Sequence, residues 1–173
     1  VLEVPERGFW TDARFEPSGR YLFVVGNSDR AYVVPLDGSP ARRLEGFSEG
    51  TLLVAAAVSP SGRRVATGFF FGDGEKTLRV WDLDTGELRL FDLPDGTSAP
   101  PAGGKPASGQ TGYERGVVTL AFADESTLYS GGDGGIRRWN LDDGTHELVL
   151  AEQPGHILMA RFAAIWSSLT WVT

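Results

Sequence analysis

Residues 68 to 82, GFFFGDGEKTLRVWD, bring glycine, acid, amine and hydroxyl into one short run, and the Lys76-Thr77 pair behind Gly68, Gly72 and Gly74 raises the question of a phosphate-cradling loop. Such a loop needs G-x-x-x-x-G-K-[ST], so that backbone amides face the phosphates at a helix N-terminus and the lysine meets the terminal phosphate. Here position 75 is Glu, which sets a carboxylate where the backbone must approach an anion. The residues after Thr77 alternate as a strand and open no helix. The phosphate-loop reading fails on both counts.

Other reactive groups are few. His146 and His156 both stand beside turn signals, and a hydrolytic triad would need one of them aligned with a serine and a carboxylate, which nothing in the spacing provides. The acidic runs DLDTG and LDDG are turn formers, because Asp side chains bond their own backbone, and no D-x-[DN]-x-[DN]-G calcium loop occurs. With no cysteine, thiolate metal sites and thiol nucleophiles are impossible. We therefore expect no catalytic residue, no metal and no cofactor, and a cytoplasmic setting fits a cysteine-free chain.

The chain of 173 residues is long enough to bury a core, and 41% hydrophobic residues with 23 glycines suits an all-β domain rich in turns. Its net charge of −7 repels polyanions, and the pairs Arg42-Arg43, Arg63-Arg64 and Arg137-Arg138 are scattered rather than gathered into a basic face, so no nucleic-acid partner is expected. The most apolar stretch, ILMARFAAIWSSLTWVT, contains Arg161 and falls short of the roughly 20 residues that a helix needs to cross a bilayer. No membrane partner is expected.

The elements that would hold these residues repeat. DARFEPSGRYLFVVGNSDRAYVVPLDGSPARRL, AAAVSPSGRRVATGFFFGDGEKTLRVWDLDTGELRL and TLAFADESTLYSGGDGGIRRWNLDDGTHELVL share an apolar residue ending a first run (Phe15, Val58, Phe122), a polar turn, a second run, an Asp-containing turn (Asp29, Asp73, Asp133) and a third run. A fourth short run follows each. Phe15 to Val58 is 43 residues, Val58 to Phe122 is 64 and Phe122 to Phe162 is 40, the excess being the Pro/Gly/Ser/Ala-rich segment 94–112. Four runs of four to eight residues per unit, separated by Ser-Gly, Asp-Gly and Thr-Gly turns, predict four-stranded antiparallel meanders. The runs VAAAV and VVTLAF are apolar throughout, as a strand buried on both faces would be.

The period, with VSPSGRRVATG, LRVWDLDTG and IRRWNLDDG, resembles WD-repeat β-propellers of the bacterial type, and YVVPLDG in the first unit also resembles TolB-type propeller repeats. Trp81-Asp82, Trp139-Asn140 and Pro35-Leu36 stand at the signature position. The resemblance implies an all-β, partial β-propeller of three four-stranded antiparallel blades and an incomplete fourth: blade 1 about 9–46, blade 2 about 51–93, the loop insertion 94–112, blade 3 about 113–151 and a partial blade 4 about 155–173. It further implies a blade buttress of Thr67, Asp73 and Trp81 in the second unit and Ser130, Asp133 and Trp139 in the third, all structural.

By the same resemblance, the links entering each inner strand and the turns between second and third strands form a partner-binding face of Phe9, Trp10, Ser28, Phe47, Glu75, Lys76, Tyr113 and Arg115. The function implied is a non-catalytic scaffold that binds a protein or peptide. The alternatives are a regulatory or substrate-gating propeller of a larger hydrolase or kinase, and a truncated product with no function of its own. Because the repeat pattern lapses after Phe162, we expect a fragment of a larger propeller, with bare blade faces that promote self-association.

Overall fold

A computed structural model describes residues 4, 6, 8–27, 29–48, 50–71, 77–92, 116–132 and 135–150, together with 160–162 and 169–171, the backbone alone at 70, 71, 77 and in the last two segments. Strands β1 (Trp10–Phe15), β2 (Tyr21–Gly26), β3 (Arg30–Pro35) and β4 (Arg42–Arg43) form sheet 1. Sheet 2 holds β5 (Leu52–Val58), β6 (Arg64–Phe71), β7 (Thr77–Asp82) and β8 (Leu88–Asp92). Sheet 3 holds β9 (Val117–Phe122), β10 (Thr127–Gly132), β11 (Gly135–Asn140) and β12 (His146–Leu150), and β13 (Ala160–Phe162) pairs with β14 (Leu169–Trp171). Strands within each sheet follow chain order and pair antiparallel, and the described residues contain no helix. The insertion 94–112 lies outside the described residues.

The repeat reappears as register. Phe15, Val58 and Phe122 face Leu22, Val65 and Leu128 across the first two strands of their sheets. Gly19 and Gly62 turn the first two of these hairpins at φ +76° and +74°, a left-handed backbone that glycine adopts without strain. On the third strands, Trp81 lies opposite Val65 and Trp139 opposite Leu128, while Val34 lies opposite Leu22. Val34, rather than Pro35, therefore takes the tryptophan position in sheet 1, a shift of one residue that strand alignment by turn signals alone does not resolve.

Strand β5 is the centre of the molecule. It packs against β1 and β2 on one side and β9 on the other, and Leu53, Ala55, Ala56 and Ala57 are buried. Strand β6 also packs on β9, with Gly68 so close to Val117 that a Cβ there would lie 2.3 Å from the Val117 carbonyl oxygen. Strand β1, at the same place in its own unit, is exposed along nearly its whole length, since sheet 2 flanks it on one face alone. It clasps β5 with side chains: Thr11 Oγ1 donates to the Leu53 carbonyl (2.5 Å), Asp12 Oδ2 accepts from Ala56 N–H (3.0 Å) and Arg14 Nε donates to the Ala56 carbonyl (3.2 Å). Those contacts occupy the free edge of the central strand, which would otherwise offer bare amides and carbonyls.

The face of sheet 1 turned away from sheet 2 departs from expectation. Val24, Tyr32 and Val34 are buried there, with Val4, Leu22 and Ala41 packed on them, and Glu6 bridges Arg30 (2.9 Å) and Arg43 (3.1 Å). Residues Val4 and Glu6 thus cover the outer strands of this face, while Phe15 on the inner strand stays 69% exposed.

Hydrogen bonds tie sheet to sheet at the β1–β2 type turns. Tyr21 Oη donates to the Gly62 carbonyl (2.6 Å) and Arg20 Nη2 to the Ser61 carbonyl (2.8 Å), while Ser61 N–H donates to Glu125 Oε1 (2.7 Å) and Arg64 Nη1 to the Glu125 carbonyl (2.6 Å). At the outer rim, Arg42 of β4 donates to the Leu83 carbonyl and Arg89 of β8 to the equivalent Leu141 carbonyl. The first turn is stiffened by Glu16, 2% exposed, which accepts from Ser18 N–H and Arg20 N–H and pairs with the Arg20 guanidinium. Burial pushes the Glu16 carboxyl up, but the Arg20 and Ser18 donors outweigh it and bring it down to about 2.

A carboxylate depressed below its unfolded value stabilises the fold above that value and loses its contribution as pH falls toward the folded one, here between about pH 5 and pH 2. Glu16→Gln, which cannot ionise, is expected to melt below wild type near neutral pH, with the gap narrowing over that interval. Thermal unfolding by circular dichroism at stepped pH checks this; a gap independent of pH would show that the charge on Glu16 carries no weight.

Candidate interaction face

At one end of sheets 1 and 2 the chain passes from β4 to β5, beside the turn joining β2 and β3. In sheet 1 this end is well defined. The Phe9 carbonyl accepts from Asn27 N–H (3.1 Å), and Gly26 makes the approach possible, since a Cβ there would sit 2.4 Å from that oxygen. Asp29 has φ 59°, an uncommon left-handed conformation for a residue other than glycine, and its N–H donates to the Thr51 carbonyl (2.9 Å) on the link into β5. Its carboxylate meets Arg43 (3.1 Å), which also meets Glu6, so an ionic chain joins the entering segment, the β2–β3 turn and β4. Glu6 is lowered, with a Tyr32 hydrogen bond as the main cause, against burial and with help from Arg30 and Arg43.

On this frame Phe9 stands 79% exposed, and Trp10 is 36% exposed with its ring edge-on to Tyr32 (centroids 5.9 Å, 81°). Phe47 behaves differently. It is half-buried, lies 5.1 Å from the Trp81 ring, and has the Arg79 guanidinium 5.3 Å from its own centroid. Arg79 is itself 2% exposed and donates from Nε to the Gly46 carbonyl (2.9 Å). The Phe47 side chain is therefore a packing element of sheet 2. Ser28, Glu75, Lys76, Tyr113 and Arg115 lie outside the described residues.

The buttress residues divide in the same way. Trp139, 1% exposed, donates from Nε1 to Ser130 Oγ (2.8 Å) and rests against Phe91 of sheet 2 on one side (6.1 Å, 71°) and His146 on the other (4.6 Å, 34°). Trp81, 3% exposed, shares its face with buried Thr67 yet donates to the Glu45 main-chain carbonyl (3.1 Å). Asp73 and Asp133 lie outside the described residues. Both rings find an acceptor, as a buried indole N–H must. The acceptor of Trp81 comes from the preceding link, which explains why Glu45-Gly46-Phe47 is held so close to sheet 2.

Sequence reasoning did not find Arg79, the Glu6–Arg30–Arg43–Asp29 chain or the Asp12 clasp. An arginine at every second strand position reads as exposed, and ion pairs between segments far apart leave no periodic trace. The one acid on an inner strand, Asp12, is fully engaged: Arg14 (3.0 Å), Ala56 N–H and Ala13 N–H (2.8 Å) surround its carboxylate. Among the described residues no three His, Asp or Glu side chains gather as a metal site, and no helix is long and apolar enough to cross a membrane.

Phe47→Ala is expected to destabilise the fold by about 1–3 kcal/mol, since it removes most of a large apolar contact. Phe9→Ala should stay within about 0.5 kcal/mol, as exposed positions do. Chemical denaturation of both variants checks the distinction, and equal losses would contradict the separate roles assigned to the two rings.

Residues 38–82 match the WD domain, G-beta repeat family. Among solved structures, the fold is similar to the crystal structure of RRP9 WD40 repeats (TM-score 0.65, 15% identity), covering 90% of this chain and 42% of that one. It is similar also to the structure of U3-55K (TM-score 0.64, 17% identity), covering 90% of this chain and 43% of that one. At such identities the likeness is one of fold, and the chain spans less than half the length of either structure. No curated protein sequence matches the chain.

Proposed function

We propose that this chain, a WD-repeat β-propeller segment, is a non-catalytic scaffold that binds a protein or peptide in a cytoplasmic setting. The WD40 repeat fold supports an interaction role in general. The observation that carries the specific reading is the rigid presentation of Phe9: a large aromatic ring 79% exposed, on a segment fixed by the Asn27–Phe9 hydrogen bond and flanked by half-exposed Trp10. An aromatic held out by an ordered backbone contributes interface area at little entropic cost, and such residues dominate binding energy where they enter a pocket. Ser28, Glu75, Lys76, Tyr113 and Arg115 extend the same face by their places in the repeat.

Within this reading the buttress residues Thr67, Asp73, Trp81, Ser130, Asp133 and Trp139 serve stability. The hydrogen bonds that engage the Asp12 carboxylate favour the scaffold over a catalytic unit. Proposed blade limits follow the repeat, about 9–46, 51–93 and 113–151, with a partial unit about 155–173 and the insertion 94–112 between the second and third.

Selection of a random peptide-display library on the immobilised chain tests the proposal. Enriched peptides should lose binding by about 30-fold or more on Phe9→Ala or Trp10→Ala, as hot-spot residues do. Leu148→Ser, at a distant exposed position, should leave it intact. Failure to enrich any peptide, or enrichment indifferent to Phe9 and Trp10, would refute the assigned face.

A further inference from the structure

We infer that the cleft between sheets 1 and 2, at the end of the sheets opposite the Phe9 segment, binds the carboxylate of an acidic peptide side chain through Arg20 and Arg63. The cleft holds about 350 Å³, in the lower part of the range that small-ligand pockets occupy. Arg20 and Tyr21, where β2 begins, line one side; the β5–β6 turn at 61–63 and the β7–β8 turn at Leu83 and Asp84 line the other. The Tyr21 Oη bond to the Gly62 carbonyl (2.6 Å) joins the two sides. Both guanidiniums are anchored in the same way, through Nε and Nη2. Arg20 Nε donates to Ser18 Oγ (3.1 Å), and its Nη2 to Glu16 Oε1 (3.0 Å) and the Ser61 carbonyl (2.8 Å). Arg63 sets Nε and Nη2 on Asp82 Oδ2, at 2.8 Å each. Nη1 of each arginine has no partner among the described residues. Because the anchors already order both forks, an entering carboxylate meets charged donors at little further entropic cost.

The class of ligand follows from the charges around the forks. The anchoring acids lie behind them, with the Glu16 side chain 1% exposed and that of Asp82 14%. Asp84, 72% exposed, stands in the cleft itself, its Oδ2 3.5 Å from Arg63 Nε. Three carboxylates this near penalise a phosphate dianion more than a carboxylate monoanion. Tyr21 and Leu83 add apolar wall for the methylene groups that carry such a carboxylate. Stacking of the sheets does not require the second guanidinium. The registers that align Leu22, Val65 and Leu128 put Arg63 at the place of Arg20 in the next junction, and Ser126 at the place of Arg63. Arg64, at the place of Tyr21, donates there to the Glu125 carbonyl (2.6 Å). Two anchored forks on one cleft thus belong to the first junction and are not a feature of the repeat. This inference stands apart from whatever the Phe9 end binds.

Nuclear magnetic resonance titration of the isotope-labelled whole chain tests it, at constant pH and ionic strength, with the blocked tripeptide acetyl-Gly-Glu-Gly-amide as the probe. Amide signals of 61–63, 83 and 84 should shift and saturate. The matching Gln tripeptide should bind about tenfold more weakly, as the loss of a charge-assisted pair implies, and free acetate and inorganic phosphate should also bind more weakly than the probe. Arg63→Gln should weaken the probe about tenfold. Asp84→Asn, which removes the competing acid and leaves both anchors in place, should tighten it about threefold. Should Arg63→Gln fail to fold, Arg63→Lys, which keeps the charge without the fork, must weaken the probe in its stead. No saturable shift at these amides, equal binding of the Gln tripeptide or of acetate, tighter binding of phosphate, or indifference to the change at 63 or at 84 would each overturn it.

Discussion

Sheets that stack face to face around a common centre must come close at their inner strands and spread at their outer ones, and this wedge shape governs the rest of the structure. At the narrow side only small groups fit. Ala55, Ala56 and Ala57 of β5 lie buried between β1 and β9, and Gly68 touches Val117 where any side chain would collide with backbone. At the wide side the gap is filled by large rings: Phe47 on Trp81, and Phe91 on Trp139. Close packing of this kind is sensitive to a single methyl at the narrow side and to ring loss at the wide side.

Polar groups in the wedge are satisfied within a sheet, by the preceding link, or by a neighbouring sheet. Indole N–H groups of Trp81 and Trp139 find the Glu45 carbonyl and Ser130 Oγ, and Arg79, buried almost completely, bonds the Gly46 carbonyl. Arg42 and Arg89 reach equivalent turn carbonyls one sheet onward, and Tyr21 does so at the same end of the sheets, on the first turn of sheet 2. Each such bond satisfies a group that would be costly to leave unpaired, and those of Arg42, Arg89 and Tyr21 also set the lateral position of one sheet on the next. The loop end that presents Phe9 inherits its rigidity from this frame through Asn27 and Asp29.

Much of the fold is legible in the sequence because the strands of sheets 2 and 3 are bounded by Ser-Gly, Asp-Thr-Gly and Asp-Asp-Gly turns and because apolar VAAAV announces a strand buried on both faces. Trp139 and Ser130 share a face at strand spacing across two adjacent strands, so local pattern suffices to anticipate their proximity. The limits are equally physical. Trp81 takes its acceptor from a main-chain carbonyl, which no residue type reveals, and Phe47 looks like a surface aromatic until the ring beneath it is known. Val34 replaces Pro35 at the tryptophan position because register depends on hydrogen-bond pairing, not on turn composition. Covering of Val24 and Tyr32 by Val4, with Glu6 pinned by Arg30 and Arg43, joins segments about 20 to 40 residues apart and has no periodic signature.

If close approach at the narrow side is what holds the sheets together, then the smallest possible enlargement there should be felt by the whole molecule. Gly68→Ala is the most direct test, because the added methyl would lie 2.3 Å from the Val117 carbonyl oxygen and 3.0 Å from Ala55 Cβ. Thermal unfolding followed by both far-ultraviolet dichroism and tryptophan fluorescence should show a loss of about 1–3 kcal/mol, the usual cost of overpacking, with the two signals moving together. An unchanged midpoint, or a shift in one signal alone, would contradict a structure organised around that contact.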